Sequence, residues 1–188
     1  MAPDPEVVRC PWGDDPLMID YHDHEWGREL RGDTELFERM SLEAFQSGLS
    51  WAVILRKRER FREAFAGFDP ATVAAFGAAD VARLLDDAGI VRNRMKIEAT
   101  ISNARTVLEL DESFSDLLWS FAPPAGPAPS SFADVAATTP ESIAMAKALK
   151  KKGFRFVGPT TAYALMQATG MVNDHLADCV ARSTAHRA

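Results

Sequence analysis

Two pairs of soft ligands stand near opposite ends of this chain, and they constrain its topology more than any other feature. Cys10 and His22 lie near the start, His175 and Cys179 near the finish. Two cysteines with two histidines make a tetrahedral zinc set. An ion that took all four would staple the termini together. With four protein ligands it would be structural, because no position stays open for a substrate. His175 and Cys179 are four apart, which on a helix puts both side chains on one face. The alternative is two inert buried cysteines and surface histidines, in a chain with only two Cys and four His. His24 is a weaker substitute for His22, and His186 falls in a tail.

Between those ends the pattern is helical. No stretch alternates polar and apolar residues long enough to make a strand, and no repeat is present. Asp15-Pro16 starts a helix running to His24, with Gly27 ending it. Asp33 caps the next, whose stripe is Leu36, Phe37, Met40, Phe45 and Leu49. Ser50 caps a short helix carrying Val53, Ile54 and Leu55, after which Phe61, Phe65 and Phe68 recur at helical spacing. Asp69-Pro70 opens another, and Asp80 to Leu85 forms one that closes at Gly89. Asn93 to Leu110 is a long helix with Ile97, Ile101, Ala104 and Leu108 on one face. Ser113 to Phe121 is short, residues 122–131 are a loop, and Thr139-Pro140 opens the helix that ends in lysines. The fold class is therefore all-α. At 188 residues the chain makes one domain, or two small lobes sharing a core.

The lysine-rich helix reaches Gly153, turns through Phe154 to Val157, and restarts after Gly158. The second helix leaves N–H groups at Gly158, Thr160 and Thr161 pointing outward, a start that attracts phosphate. Lys147, Lys150, Lys151, Lys152 and Arg155 surround it, and no acid occurs from Lys147 through Asn173. The net charge of −6 argues against nucleic acid, but the charge is segregated, with further positive clusters at Arg56 to Arg58 and Arg92 to Lys96. The turn is too short for a Walker loop and follows no strand. It is either a plain helix–helix corner or a grip on phosphodiester backbone. No apolar run is long enough to cross a membrane, and the first ten residues lack the apolar segment of a signal peptide. The cytoplasm is the expected location, and there a structural disulfide is not expected.

Glu43 interrupts the apolar stripe of its helix. A carboxylate there either faces outward or sits in a pocket as acceptor for a ligand donor, because an unpaired buried charge is costly. Trp12, Trp26, Trp51 and Tyr21 crowd the same third of the chain. Most such rings are core; one or two could line a slot for a flat heterocycle.

Taken in order, these segments form a recognisable series. It runs Arg9-Cys10-Pro11-Trp12, Tyr21-His22-Asp23-His24-Glu25-Trp26-Gly27, Leu42-Glu43, Gly48-Leu49-Ser50-Trp51 and Asp87-Ala88-Gly89-Ile90. Then come Leu117-Leu118-Trp119-Ser120-Phe121, Lys151 through Thr161, and Val172-Asn173-Asp174-His175. The chain resembles the bacterial DNA-3-methyladenine glycosylase I family over residues 8 to 182. That resemblance implies a helix-hairpin-helix DNA glycosylase fold, with a structural zinc joining the N- and C-terminal segments. It implies one unit over 8–182, two helical lobes around a base pocket, the hairpin element at 147–169, and flexible tails at 1–7 and 183–188. The implied zinc ligands are Cys10, His22, His175 and Cys179, one ion per chain, with no organic cofactor. Glu43 matches the carboxylate that binds the methylated adenine, Tyr21 a lining tyrosine and Trp51 the stacking tryptophan. Met18 stands where many relatives carry tyrosine, so it fills space without a hydroxyl. Phe156, Val157, Gly158 and Thr160 match the hairpin that holds the DNA backbone, with Thr161, Lys151 and Lys152 beside them. The implied partners are alkylated double-stranded DNA and free 3-methyladenine as product, met by a monomer away from any membrane. The superfamily's catalytic aspartate corresponds to Asn173, and Asp174 is expected to face elsewhere.

Two other classes share parts of this pattern. A helical DNA-binding module without catalysis would use the lysines and the metal but not Glu43. An apolar-ligand or protein-interaction domain would leave the acid-free stretch unexplained. Convergence of Glu43, Tyr21 and Trp51 on one pocket separates them.

Overall fold

A computed structural model describes residues 7–183. Of the tails expected at 1–7 and 183–188, only Val7 and Ser183 fall within it; His186 lies outside the described residues. Among the described residues there is no β-strand. Nine α-helices follow in order: α1 (Ile19–His24), α2 (Asp33–Gln46), α3 (Trp51–Ala64), α4 (Pro70–Ala74), α5 (Ala78–Asp86), α6 (Arg94–Leu108), α7 (Phe114–Trp119), α8 (Pro140–Lys151) and α9 (Pro159–Ala168). Tight 3₁₀ turns occupy Ala66–Phe68 and Phe132–Asp134.

Helix α2 is the hub, packing against α3, α6, α7 and α9. Its apolar stripe places Leu36, Phe37, Met40 and Phe45 in the core. There they meet the aromatic rings of α3 and the turn after it. Phe45 lies 4.7 Å from Phe61, and Phe65 stacks on Phe68 at 5.3 Å between centroids. Leu49 lies beyond the helix end and is exposed. Each buried aromatic contributes roughly 2–3 kcal/mol of burial, so this cluster fixes α2 and α3 against each other.

Several starts form as the sequence predicts. Asp69 accepts from Thr72 N ahead of Pro70, Asn93 accepts from Lys96 N, and Thr139 with Ser142 caps α8 ahead of Pro140. Asp33 differs. Gly32 takes the cap position, with φ +95°, and Asp33 is the first helical residue. Its carboxylate instead receives Ser113 Oγ and Ser115 N, which fastens the start of α7 to the start of α2. A carboxylate serves two orphan donors better across elements than one within its own. Helix α3 is also longer than expected, a continuous 14 residues that includes Phe61. Leu108 closes α6 and stays 55% exposed; Val107 is buried beside it.

One residue in each of two positive clusters is used internally. Lys96 Nζ, on a buried side chain, donates to Phe45 O and Ser47 O at 2.8 and 2.6 Å and so closes the C-terminal end of α2. Arg58 grips Glu25 through both carboxylate oxygens. Neither is available to a partner.

The chain ends meet by backbone as well as side chain. Gly27 N donates to Gln167 O, Leu30 N to Thr169 O and Val180 N to Val8 O. Gly170 permits the crossing: at φ +74° it lies so close to the backbone of Arg28 and Glu29 that a Cβ would collide.

Candidate active site and metal cluster

The Cys10, His22, His175 and Cys179 side chains converge in a small buried cluster separate from the main core, and their ligand atoms all lie within 4.8 Å of one another. Cys179 Sγ is 3.5 Å from both His22 Nε2 and His175 Nδ1, and Cys10 Sγ is 3.8 Å from His175 Nδ1. Metal–sulfur bonds of about 2.3 Å and metal–nitrogen bonds of about 2.0 Å at tetrahedral angles require edges of roughly 3.3–3.8 Å. The cluster therefore fits one ion at its centre. Each imidazole is oriented by its other nitrogen: His22 Nδ1 lies 2.7 Å from Asp23 Oδ1, and His175 Nε2 lies 3.0 Å from Trp26 O. Arg9 in turn holds Asp23 at 2.8 Å. Gly13 lets the chain pass against the His22 ring where any Cβ would overlap it. Burial pushes the Cys10 thiol up to about 12 and the His175 imidazole down to about 4. A cation would reverse the first effect by favouring thiolate. The geometry differs from expectation in one respect. Residues 175–179 are irregular turns rather than a helix, with Cys179 N bonded to Leu176 O and Ala177 N to Pro129 O. The ligands still converge, because the turn and that cross-link hold them.

The second feature is a pocket of about 370 Å³ walled by α1, α2, α3 and α9, within the range of small-molecule sites. Tyr21, Glu43, Trp51 and Met18 all line it. Tyr21 and Trp51 stand 5.2 Å apart and tilted by 38°. Glu43 comes from the buried side of α2, is 5% exposed, and among the described residues accepts no side-chain or loop hydrogen bond. Burial pushes its carboxyl up to about 7, against the opposing pull of Arg39. The Trp51 indole N–H is likewise buried without a partner. A carboxylate acceptor and an indole donor, both unsatisfied in one aromatic-walled cavity, are what a flat polar heterocycle would complete.

Three residues in or behind the pocket wall were missed by sequence reasoning or misplaced. Asp174, expected to face elsewhere, lines the pocket and accepts from Tyr163 Oη at 2.6 Å and Gln167 Nε2 at 2.8 Å. Asn173 instead turns toward the C-terminal segment, its Nδ2 donating to Arg182 O. A single residue in a turn cannot be assigned a face from periodicity, so no sequence signal marked this exchange. Phe132, 59% exposed, stands at the pocket from the 3₁₀ turn Phe132–Asp134. Arg39 lies behind the pocket wall, buried, with Nη1 donating to Tyr21 Oη at 3.0 Å. Its spacing of four from Glu43 on one helix was a usable signal.

The glycine corner forms as read. Helix α8 ends in a Schellman turn: Phe154 N donates to Leu149 O and Gly153 N, at φ +103°, to Lys150 O. Asn103 of α6 clamps the turn by donating to Arg155 O and accepting from Arg155 N. Gly158 caps α9, with Pro159 as its first residue. Gly158, Thr160 and Lys151 are exposed and Thr161 half-buried, while the Val157 side chain is in the core. Phe156, with φ +59°, is partly exposed at the turn. Lys152 is already paired, 3.0 Å from Glu112. Helix α9 carries both features: its start opens the turn, and Ala164 and Gln167 reach the pocket.

Comparison with known proteins places this arrangement. The methyladenine glycosylase family model matches residues 12–183. The chain is 48% identical to DNA-3-methyladenine glycosylase 1 of Escherichia coli (strain K12) over 179 residues, 92% of this chain and 96% of that protein. It superposes on a crystal structure of 3-methyladenine DNA glycosylase I with a TM-score of 0.89 at 49% identity, covering 92% of this chain and 98% of that one. It also superposes, at a TM-score of 0.87 and 36% identity, on a variant of 3-methyladenine DNA glycosylase I in complex with 3-methyladenine, covering 92% and 96%. All-helical architecture, pocket and four-residue cluster thus coincide with a match spanning nearly the whole chain, and the chain belongs to the methyladenine glycosylase family.

Proposed function

We propose that this protein is a monofunctional DNA glycosylase that flips 3-methyladenine out of alkylated duplex DNA and hydrolyses its N-glycosidic bond, leaving an abasic site. The observation that carries the reading is the convergence of Tyr21, Glu43 and Trp51, from three helices, on one pocket whose buried carboxylate has no side-chain donor among the described residues. A relative crystallised with 3-methyladenine supports the choice of base. A non-catalytic DNA-binding module would have no use for such a pocket.

N3-methylation puts positive charge on the purine, which makes it a good leaving group. Glu43 accepts the exocyclic N–H and stabilises the cation, Trp51 stacks on the ring, and Tyr21 and Met18 complete the walls. The bond from C1′ to the purine nitrogen breaks with its electron pair going to the base, which leaves neutral. Water then bonds to C1′ and gives up a proton. Positioning supplies most of the acceleration. No lysine lines the pocket among the described residues, and no strand-cleaving step is expected. The corner at 147–169 serves as a helix-hairpin-helix: the N–H groups of Gly158, Thr160 and Thr161 take a phosphate, with Lys151 and Lys152 alongside and Phe156 and Val157 contributing the turn. Because the Val157 side chain is buried, only its backbone is offered. The Cys10, His22, His175 and Cys179 cluster would hold a structural zinc. The reading carries with it a monomer acting on DNA in the cytoplasm.

The test is base release from methylated DNA, followed by chromatography of the freed bases. Release of 3-methyladenine with intact strands is expected. A folded protein that binds DNA and releases no base would leave the non-catalytic module standing.

A further inference from the structure

Among the described residues Arg39 is the charged group that pulls the Glu43 carboxyl toward its anion, and no hydrogen bond joins the two. Its guanidinium donates Nη1 to Tyr21 Oη at 3.0 Å and Nη2 to Glu25 Oε2 at 3.3 Å. It lies 5.3 Å from the Tyr21 ring and 5.9 Å from the Trp51 ring, over both faces. Glu25 is held in turn by Arg58, so the guanidinium is locked from behind. Arg39 is buried and does not line the pocket itself.

Building on the proposed base-binding role of Glu43 and Tyr21, we propose that Arg39 is a positioning residue that fixes the hydrogen-bond polarity of the pocket, keeping Glu43 an anionic acceptor and Tyr21 a donor toward the base. The two effects come from one geometry. Arg39 sits near enough to favour the Glu43 anion, yet its donors go to Tyr21 and Glu25, so the Glu43 oxygens stay open to the ligand. The Tyr21 oxygen already accepts from Arg39 Nη1 at 3.0 Å, which leaves its own O–H to donate elsewhere. A ring nitrogen beside the amine that Glu43 takes suits that donor. Met18 has no hydroxyl to contribute, and Arg39 is the only hydrogen-bond partner found for Tyr21 Oη among the described residues.

Other charges near Glu43 do not substitute. Glu25 and Arg58 neutralise each other at the far side of Arg39. Asp174 lines the pocket from the α9 side, bonded to Tyr163, and is an acid itself. Lys96 of α6 is committed to the end of α2.

The experiment is titration of free 3-methyladenine against intrinsic tryptophan fluorescence from pH 5 to 9, with wild type, Arg39→Gln and Arg39→Lys. Glu43→Gln serves as the control whose limb is lost. Gln keeps a donor for Tyr21 and removes the charge. Its binding limb should move up by at least about one pH unit, giving roughly fivefold weaker binding at pH 7 that recovers by pH 9. Lys keeps the charge and should hold the limb near the wild-type position. The ligand's own titration is common to all and drops out of the comparison. An unchanged limb in Arg39→Gln, or a loss equal at every pH, overturns the proposal. If the Gln variant does not fold, a limb displaced by a full unit in Arg39→Lys overturns it equally. Wild-type protein that binds no 3-methyladenine at any pH overturns the base reading and this inference with it; normal wild-type binding with an unmoved limb overturns this inference alone.

Discussion

In the proposed function, the chemistry of the pocket concentrates on Glu43. Glu43→Gln keeps the shape, removes the charge and adds a donor where the base presents its own. Losing one charge-assisted hydrogen bond is worth about 1.5–3 kcal/mol, so excision should slow about ten- to a hundredfold. The same change should alter stability with the opposite sign. The folded-state carboxyl is raised to about 7 from an ordinary 4.5, so the folded protein binds the extra proton. Its stability therefore falls as pH rises through that window, by on the order of 3 kcal/mol. Glu43→Gln escapes this term, and its thermal midpoint should gain on the wild type between pH 5 and pH 8. Excision at the parent rate, or a constant midpoint difference across that range, would show that the carboxylate faces water instead.

At the scale of elements, the α8–α9 corner is one rigid device. The Schellman turn at Gly153, the Asn103 clamp on Arg155 and the Gly158 cap fix the position of the α9 start. The two lysines beside the N–H groups proposed to take a phosphate are not equivalent. Lys151 is exposed, whereas Lys152 pairs with Glu112 at 3.0 Å. Replacing Lys151 with alanine should weaken binding to methylated and unmodified duplexes alike and lower the salt slope by about one. Lys152→Ala should lower it by less, since DNA must first displace Glu112. Salt slopes unchanged in the double variant would make both lysines ordinary solvated surface.

Over the whole molecule, the Cys10, His22, His175 and Cys179 cluster fastens the chain ends together. Backbone bonds do so as well: Val180 N to Val8 O, Gly27 N to Gln167 O and Leu30 N to Thr169 O. The main core, built on α2, α3 and α6, is separate from the cluster. Elemental analysis should find one zinc per chain. Cys179→Ser should lose it and destabilise the protein by more than about 2 kcal/mol, since removing one ligand leaves buried polar groups unpaired. Because the main core remains, the helical circular dichroism signal at low temperature should persist. A metal-free wild type with full thermal stability would reduce the cluster to buried thiols and imidazoles.

The sequence by itself determined what is local. Caps such as Asp69, Asn93 and Thr139, the glycine corner at 153–158 and the apolar stripe of α2 are short-range preferences of residue type and spacing, legible before any contact is known. The convergence of Cys10, His22, His175 and Cys179 was legible too, because cysteine and histidine are few and chemically specific. Tertiary structure alone decided which groups face one another. Asp33 abandoned its own helix for α7, Lys96 went to the end of α2, and Asp174 took the pocket position while Asn173 turned away. In each case a polar group had a choice of partners, and packing of distant elements selected among them. Arg39 marks the boundary. Its spacing from Glu43 is written in the sequence, but its two hydrogen bonds depend on α1 lying against α2, which the aromatic core and the joined chain ends bring about.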